Sequence, residues 1–443
     1  MNNAMAPYRC DDNARVVVVK AVGSLGVGAV ILAVLVAGCG SAGGRSPSDT
    51  SSGFDGAPET GTDGSGAAAS GDAGDAAETS HTTCAAVPAP IQIPPIASAL
   101  TSAAVDMGDS GVALIALSVS GGLTYAKYDT ATRAYLGSIM AGPSVSITDL
   151  TRLSPSGAFA IGDDMNQALF CGAAPCVSVG TLAHLQPRAT NALAINDAPI
   201  VVGSAVLDDG LAAHAYFWTP TAAMTDMGTL GGARSVAKAV NANGKIVGNS
   251  TLASGDTHAF LWDGTMHDLG TLGGTSSSAA AINAAGDVIG VARTAAGADH
   301  AVLWHDGAIR DLGTLGGSTS EAVAINASGQ IVGNSSTTIG FMHAFFWSNG
   351  IMQDVGDLGG GASLIEARRP LNDAGQVLGG GPTAAAESHA FVWERGQIRD
   401  LGTLGGPNTY GVAIDNSGRV IANSYLESGM QRAFFVDLGP CTP

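Results

Sequence analysis

Ten residues recur in a pattern that invites chemistry. His214, His258, His300, His343 and His389 are each followed, ten to twelve positions on, by Asp226, Asp268, Asp311, Asp354 and Asp400. Imidazole and carboxylate together serve as metal ligands or as acid–base relays. The spacing argues against metal. Equivalent residues on neighbouring sheets lie roughly 10 Å apart, whereas the ligands of a zinc ion all lie about 2.0–2.1 Å from it. A residue present once per unit fits a part of the frame. In the hairpin HAFLWDGTMHD, a two-residue Asp263-Gly264 turn pairs Trp262 with Thr265 and sets Ala259 opposite Asp268. His258 and Asp268 are then expected on opposite faces, so that the His of one unit bonds the Asp of its neighbour.

Function more often sits where a repeat breaks. Glu366, Arg368 and Arg369 precede Pro370, where other copies carry small or apolar residues, and Glu321 is the remaining acid of that column. Counted back from Asn372, Arg368 takes the place of Ala279 and Ala322, an axial or channel-mouth position. These four are the candidate ligand-binding residues. Asp163, Asp164, His184, Phe341 and Met342 are also off pattern. No Walker loop, HExxH, GxSxG or paired-Cys zinc spacing occurs. No catalytic residue, metal or cofactor is therefore expected.

The elements that must hold these residues follow from the period. Asn196, Asn241, Asn283, Asn326, Asn372 and Asp415 mark an INxxG motif every 42 to 46 residues, and Ser154 and Gly108 extend the column upstream to give eight units. Each unit has four β-type runs: a small alternating strand, a second strand after the INxxG turn, HAFLW, and a strand ending in DLGTL. Four short strands per roughly 40–45 residues is the pattern of a propeller blade. Ala237, Ala279 and Ala322 suit the crowded strand nearest an axis, and all five tryptophans (Trp218, Trp262, Trp304, Trp347 and Trp393) end the third strand. The last unit stops after its third strand, and Ile91–Ile96 supplies a spare β-like run. The fold expected is all-β, a propeller of about eight four-stranded blades, with seven possible. An N-terminal strand completes the last blade.

Residues 1–38 read as a signal peptide, with a basic start and an apolar run from Ala21 to Val36. Val36-Ala37-Gly38-Cys39 resembles a bacterial lipobox, which implies cleavage before Cys39 and its acylation. An uncleaved anchor is the other reading of that run. Residues 39–83 are rich in Gly, Ser, Ala and Asp, with seven acids against Arg45, and read as a disordered tether. Residues 84–443 form the propeller. Cys84, Cys171, Cys176 and Cys441 remain in an exported, disulfide-permissive compartment. Three connectivities are open. The expected one joins Cys171 to Cys176, which bracket four residues, and Cys84 to Cys441 at the ends of the ring.

Glycine is 63 of 443 residues, about double the usual share of roughly 7%. A formal charge of −18 excludes nucleic acid and anionic lipid as electrostatic partners. The motifs HAFLW, DLGTLGG and INxxGxVVGxS resemble the HAF repeat, a family of extracellular bacterial repeats. The match is specific from Thr181 to about Val436 and weak from Leu100 to Gly180. It departs at Pro199, Asp357 and Arg432, where Gly, Thr and His are expected. The resemblance implies export and a repeat fold, and brings no activity or catalytic residue.

The expected protein is a lipoprotein held at the outer membrane or cell surface by its N-terminal lipid alone. Its propeller would act as a binding or scaffolding platform for an extracellular protein, glycan or surface polymer. An enzyme acting on extracellular glycans at the channel mouth, and a purely structural envelope protein, are the alternatives.

Overall fold

The computed structural model describes residues 86–94, 99–119, 122–139, 149–164, 167–172, 175–182, 189–207 and 212–438. Cys39, the tether, Cys84, His184 and Cys441 lie outside the described residues. The chain divides at Ala76/Ala77, and everything that follows concerns the C-terminal unit.

Among the described residues every regular element is a β-strand, and the strands group in chain order into eight antiparallel blades. Blade 1 spans 99–138, blade 2 149–178, blade 3 190–226 and blade 4 231–268. Blade 5 spans 273–311, blade 6 316–354, blade 7 362–400 and blade 8 409–437. Blades 3 and 4 are linked by one parallel bridge, Ala213 to Arg234. The ring closes as the unfinished last repeat implies. Ile91–Gln92 forms the fourth strand of blade 8, with Ile91 opposite Phe435 and the Ile93 amide on the Ala433 carbonyl. Blade 7 departs from the four-strand plan. Its first segment pairs with the second strand through the isolated bridges Leu364–Gly380 and Leu371–Val377 and not through a continuous ladder, so three regular strands remain.

The apolar core is distributed among the junctions. Eight clusters of buried residues occur, and each takes side chains from two consecutive blades. One of them packs Ile421 and Phe435 of blade 8 against Ile115 and Tyr128 of blade 1, which makes the array a closed ring. In the HAF-type strand Phe260, Phe345 and Phe391 are fully buried, each worth about 1.5–3 kcal/mol of transfer free energy. The alternation that buries them comes from the strand period of two. On the first strand, two ladder steps away, Ala237 and Ala279 are also fully buried. Small side chains let the first strands converge.

Candidate functional site

The recurrent histidines and aspartates are the first residues to place. His258 Nδ1 lies 2.9 Å from both carboxylate oxygens of Asp268 in the same blade. His214–Asp226, His300–Asp311, His343–Asp354 and His389–Asp400 repeat the pair at 2.7–3.1 Å. The expected bond between blades is therefore corrected to a bond within one. The cause is register. In blade 4 the hairpin loop takes three residues, Asp263 to Thr265, so that Trp262 faces Met266 and Phe260 faces Asp268. His258 shares a face with Phe260, hence with Asp268. The same carboxylate accepts the Gly270 amide at 2.8 Å, which fixes the DLG turn. Among the described residues no group of three His, Cys, Asp or Glu side chains forms a metal site.

The bonds between blades come from the Asn of INxxG. Asn241 Oδ1 accepts the amides of Asn243 and Lys245 inside its own turn. Its Nδ2 donates to the carbonyl of Asn283, the same residue one blade on, at 2.9 Å. Asn196 donates to Asn241, Asn283 to Asn326, Asn326 to Asn372, and Asn372 to the Asp415 carbonyl, all at 2.9–3.3 Å. A belt thus runs from blade 3 to blade 8 in one sense. A carboxylate cannot donate, so at Asp415 the role passes to Arg419. Its Nε donates to Asp415 Oδ2 and its Nη2 to the Ser110 carbonyl of blade 1. Blade 1 has Gly108 in the column because a Cβ there would stand 2.6 Å from the Pro155 carbonyl oxygen. Ser110 donates to the Ser156 carbonyl, and the Ser156 hydroxyl donates to Asp197 of blade 3, which completes the circle.

Two further polar series tie the blades. The Ser after each GG accepts the amide of the HAF alanine in the preceding blade, as Ser235 does from Ala215 and Ser277 from Ala259. In the second strand, Asn249, Asn334 and Asn423 accept the first-strand amides of Ala279, Ile365 and Ala104 in the following blade. The off-pattern Asp163 fills the same position in blade 2 and accepts from Ala192. Departures elsewhere are absorbed likewise. Arg432, in the His column of blade 8, donates to the Leu100 carbonyl of blade 1. Asp357 accepts the amides of Gly359 and Gly361. Phe341 remains exposed.

Blade 7 is where the pattern fails. Ser363 holds the Ser position, bonded by Ala344, and Ile365 takes the Asn334 clamp as Ala279 takes that of Asn249. Ile365, not Arg368, therefore occupies the column of Ala279 and Ala322. Nine positions separate Ser363 from Asn372, against six from Ser320 to Asn326. Glu366, Ala367 and Arg368 are the three extra residues. Pro370 has no amide for a ladder. The segment leans on blade 8 instead, with the Arg368 amide on the Val412 carbonyl.

The four candidate residues do not act as one group. Arg369 reaches past blade 8 to blades 1 and 2. It pairs with the fully buried Asp106 at 3.3 Å, approaches Asp109 at 3.4 Å, and donates to the Leu153 carbonyl at 2.7 Å. Arg368 is exposed, and the positive charges of Arg368 and Arg369 act on Arg152, whose own pKa burial lowers. Glu321 accepts from Asn334. Glu366 has no hydrogen bond or ion pair among the described residues, and its charge helps burial raise the Tyr410 phenol. Around Arg369 the turn carboxylates diverge. Burial raises Asp109, with Arg369 opposing. Asp197 is also pushed up by burial, but the Ser156 hydroxyl and amide outweigh that and hold it low.

Two cavities accompany these features. The larger, about 360 Å³, lies where blade 8 meets blade 1 and is lined by Arg133, Arg419 and Asp437. Its cations are engaged, Arg419 by Asp415 and Arg133 over the Phe435 ring at 5.7 Å. The second, about 180 Å³, opens between blades 7 and 8 and is lined by Leu364, Glu366, Gly379–Pro382, Ser388 and Thr409–Gly411. Here Gly380 stands where blades 4, 6 and 8 have the clamping Asn, and Gly381 where they have Ser. The belt, the clamps and the insertion were not read from the sequence. The spacing of Ser363 and the Gly-Gly-Gly run were the signals that carried the last.

No family model matches the chain, and no curated protein does. Solved structures similar to it include TolB from Acinetobacter baumannii, at 13% identity over 72% of this chain and 77% of that one, with a TM-score of 0.33. The BP39L lectin from Burkholderia pseudomallei aligns at 12% identity over 78% and 98%, with a TM-score of 0.34. Prolyl oligopeptidase B from Galerina marginata aligns at 9% identity over 76% and 55%, with a TM-score of 0.42.

Proposed function

We propose that the chain is an exported lipoprotein, anchored through Cys39 and spaced from the membrane by residues 40–83, whose eight-bladed ring is a binding or scaffolding platform. Its partner is an extracellular protein, glycan or surface polymer. One observation carries the platform reading. The polar residues that recur are engaged within the frame, while Glu366 and Arg368 have no side-chain partner among the described residues where blade 7 departs from it. The Cys171–Cys176 disulfide supports export, and the lipobox resemblance supports the anchor. Two measurements test the reading. Cys39→Ser should abolish labelling by radioactive palmitate and release the chain from the membrane fraction. The mature chain should retain at least one purified envelope glycan, surface polymer or envelope protein. Retention of none defeats the platform.

A second reading, an enzyme acting on extracellular glycans, is favoured by the opposed shifts of Asp109 and Asp197 beside Arg369. A raised carboxyl beside a lowered one has the two directions that glycoside hydrolysis calls on. Hydrolysis of a surface glycan that Asp109→Asn abolishes would establish it.

A further inference from the structure

Resting on the platform reading, we infer that the cavity between blades 7 and 8 is a binding site for one neutral sugar residue of a surface glycan. The void exists because side chains that fill the same place elsewhere are missing. In blade 6, Asn334 projects toward blade 7 and bonds both the amide and the carbonyl of Ile365. In blade 8, Asn423 does the same to Ala104 of blade 1. Blade 7 has Gly380 at that position. A Cβ built there meets a single atom, the His389 carbonyl oxygen, at an ordinary 3.5 Å, so the backbone tolerates a side chain that the sequence does not supply. The three-residue insertion then brings Glu366 to the wall of the space that is left.

The lining sets the ligand chemistry. Glu366, Tyr410 and Ser388 line the cavity, and no side-chain hydrogen bond or ion pair engages any of them among the described residues. Tyr410, 44% exposed, lines the cavity together with Pro382. A carboxylate that only accepts and two hydroxyls that do both match a ring bearing several hydroxyl groups. An aromatic ring suits its apolar C–H face. Anions are opposed by Glu366 and by the chain's net charge of −18. Cations are opposed by the exposed Arg368, two residues along. At about 180 Å³ the space corresponds to roughly six waters at about 30 Å³ each. That is room for one pyranose ring and too little for a ligand of drug size.

The test uses the mature chain with methyl glycosides of glucose, galactose, mannose and N-acetylglucosamine, and with propylammonium and acetate as charged probes, followed by calorimetric titration. At least one glycoside should bind, and neither charged probe should. Gly380→Asn restores the clamping residue and fills the cavity. It should weaken glycoside binding at least tenfold while the unfolding midpoint stays level or rises. Tyr410→Ala, at an exposed position, should also weaken binding at least tenfold, and it serves as the decisive variant if Gly380→Asn fails to fold. Binding that either folded variant leaves within twofold of wild type overturns the inference, as does preference for a charged probe. If no glycoside binds but the chain still retains an envelope protein or anionic polymer, the sugar site fails and the platform stands. If nothing is retained, both fail.

Discussion

At Asn241 one side chain makes three bonds, two in its own turn and one to the next blade, and it is 5% exposed. Asn241→Ala leaves buried groups unpaired and should lower stability by about 1–3 kcal/mol in urea unfolding. His258 has one side-chain partner among the described residues, and that carboxylate is 39% exposed. His258→Ala should cost at most about 1 kcal/mol, and Asp268→Ala should cost more, because it also releases the Gly270 amide. The reverse order would remove the case for a turn-fixing role. Asp197 gives a pH signature. Its folded pKa lies below the ordinary 3.8, so its stabilisation is complete above that value and fades as pH falls through the lowered pKa. The gap in melting temperature between wild type and Asp197→Asn should be constant above about pH 5 and should close below pH 4. A gap unchanged at low pH would show that the carboxylate charge is irrelevant there.

Strands and turns were the most legible level, because a period of two and the turn residues act locally. Four runs per unit, the INxxG turns and the closing N-terminal strand all follow from such patterns. What escaped depends on distances that no local pattern encodes. The hairpin of blade 4 is one residue shorter than those of blades 5 to 7, and a three-residue loop in place of their two keeps Asp268 on the face of His258. Counting back from Asn372 hid the insertion of Glu366 to Arg368, since the marker lies beyond it. The Asn column announced a turn, whereas its second bond appears only when blades stand side by side. The closing strand can be tested directly. Ile93 is fully buried in the cluster joining blades 8 and 1, and Ile93→Ala should cost about 2–5 kcal/mol. Val87 and Leu438 share the cluster between blades 7 and 8, and each stands three residues from a cysteine. The proposed Cys84–Cys441 bond follows that proximity. Non-reducing peptide mapping should recover the linked pair, and Cys84→Ser should lose roughly 2–5 kcal/mol.

Across the whole ring, no blade owns its core, because each cluster needs two blades. Unfolding should therefore be one transition, with tryptophan fluorescence and far-ultraviolet dichroism coinciding. Two separated transitions would mean that some group of blades folds without its neighbours. The direction of the Asn belt has a consequence of its own. Each unit from blade 4 to blade 6 offers a donor forward and a carbonyl behind, so any two of them present matching ends to the belt. Such units are interchangeable parts, and one can be duplicated or lost without leaving a chemical mismatch. The Arg419–Asp415 pair and the Gly108 turn match only each other's blades. They mark a fixed origin on a circle whose blades 4 to 6 carry no serial number.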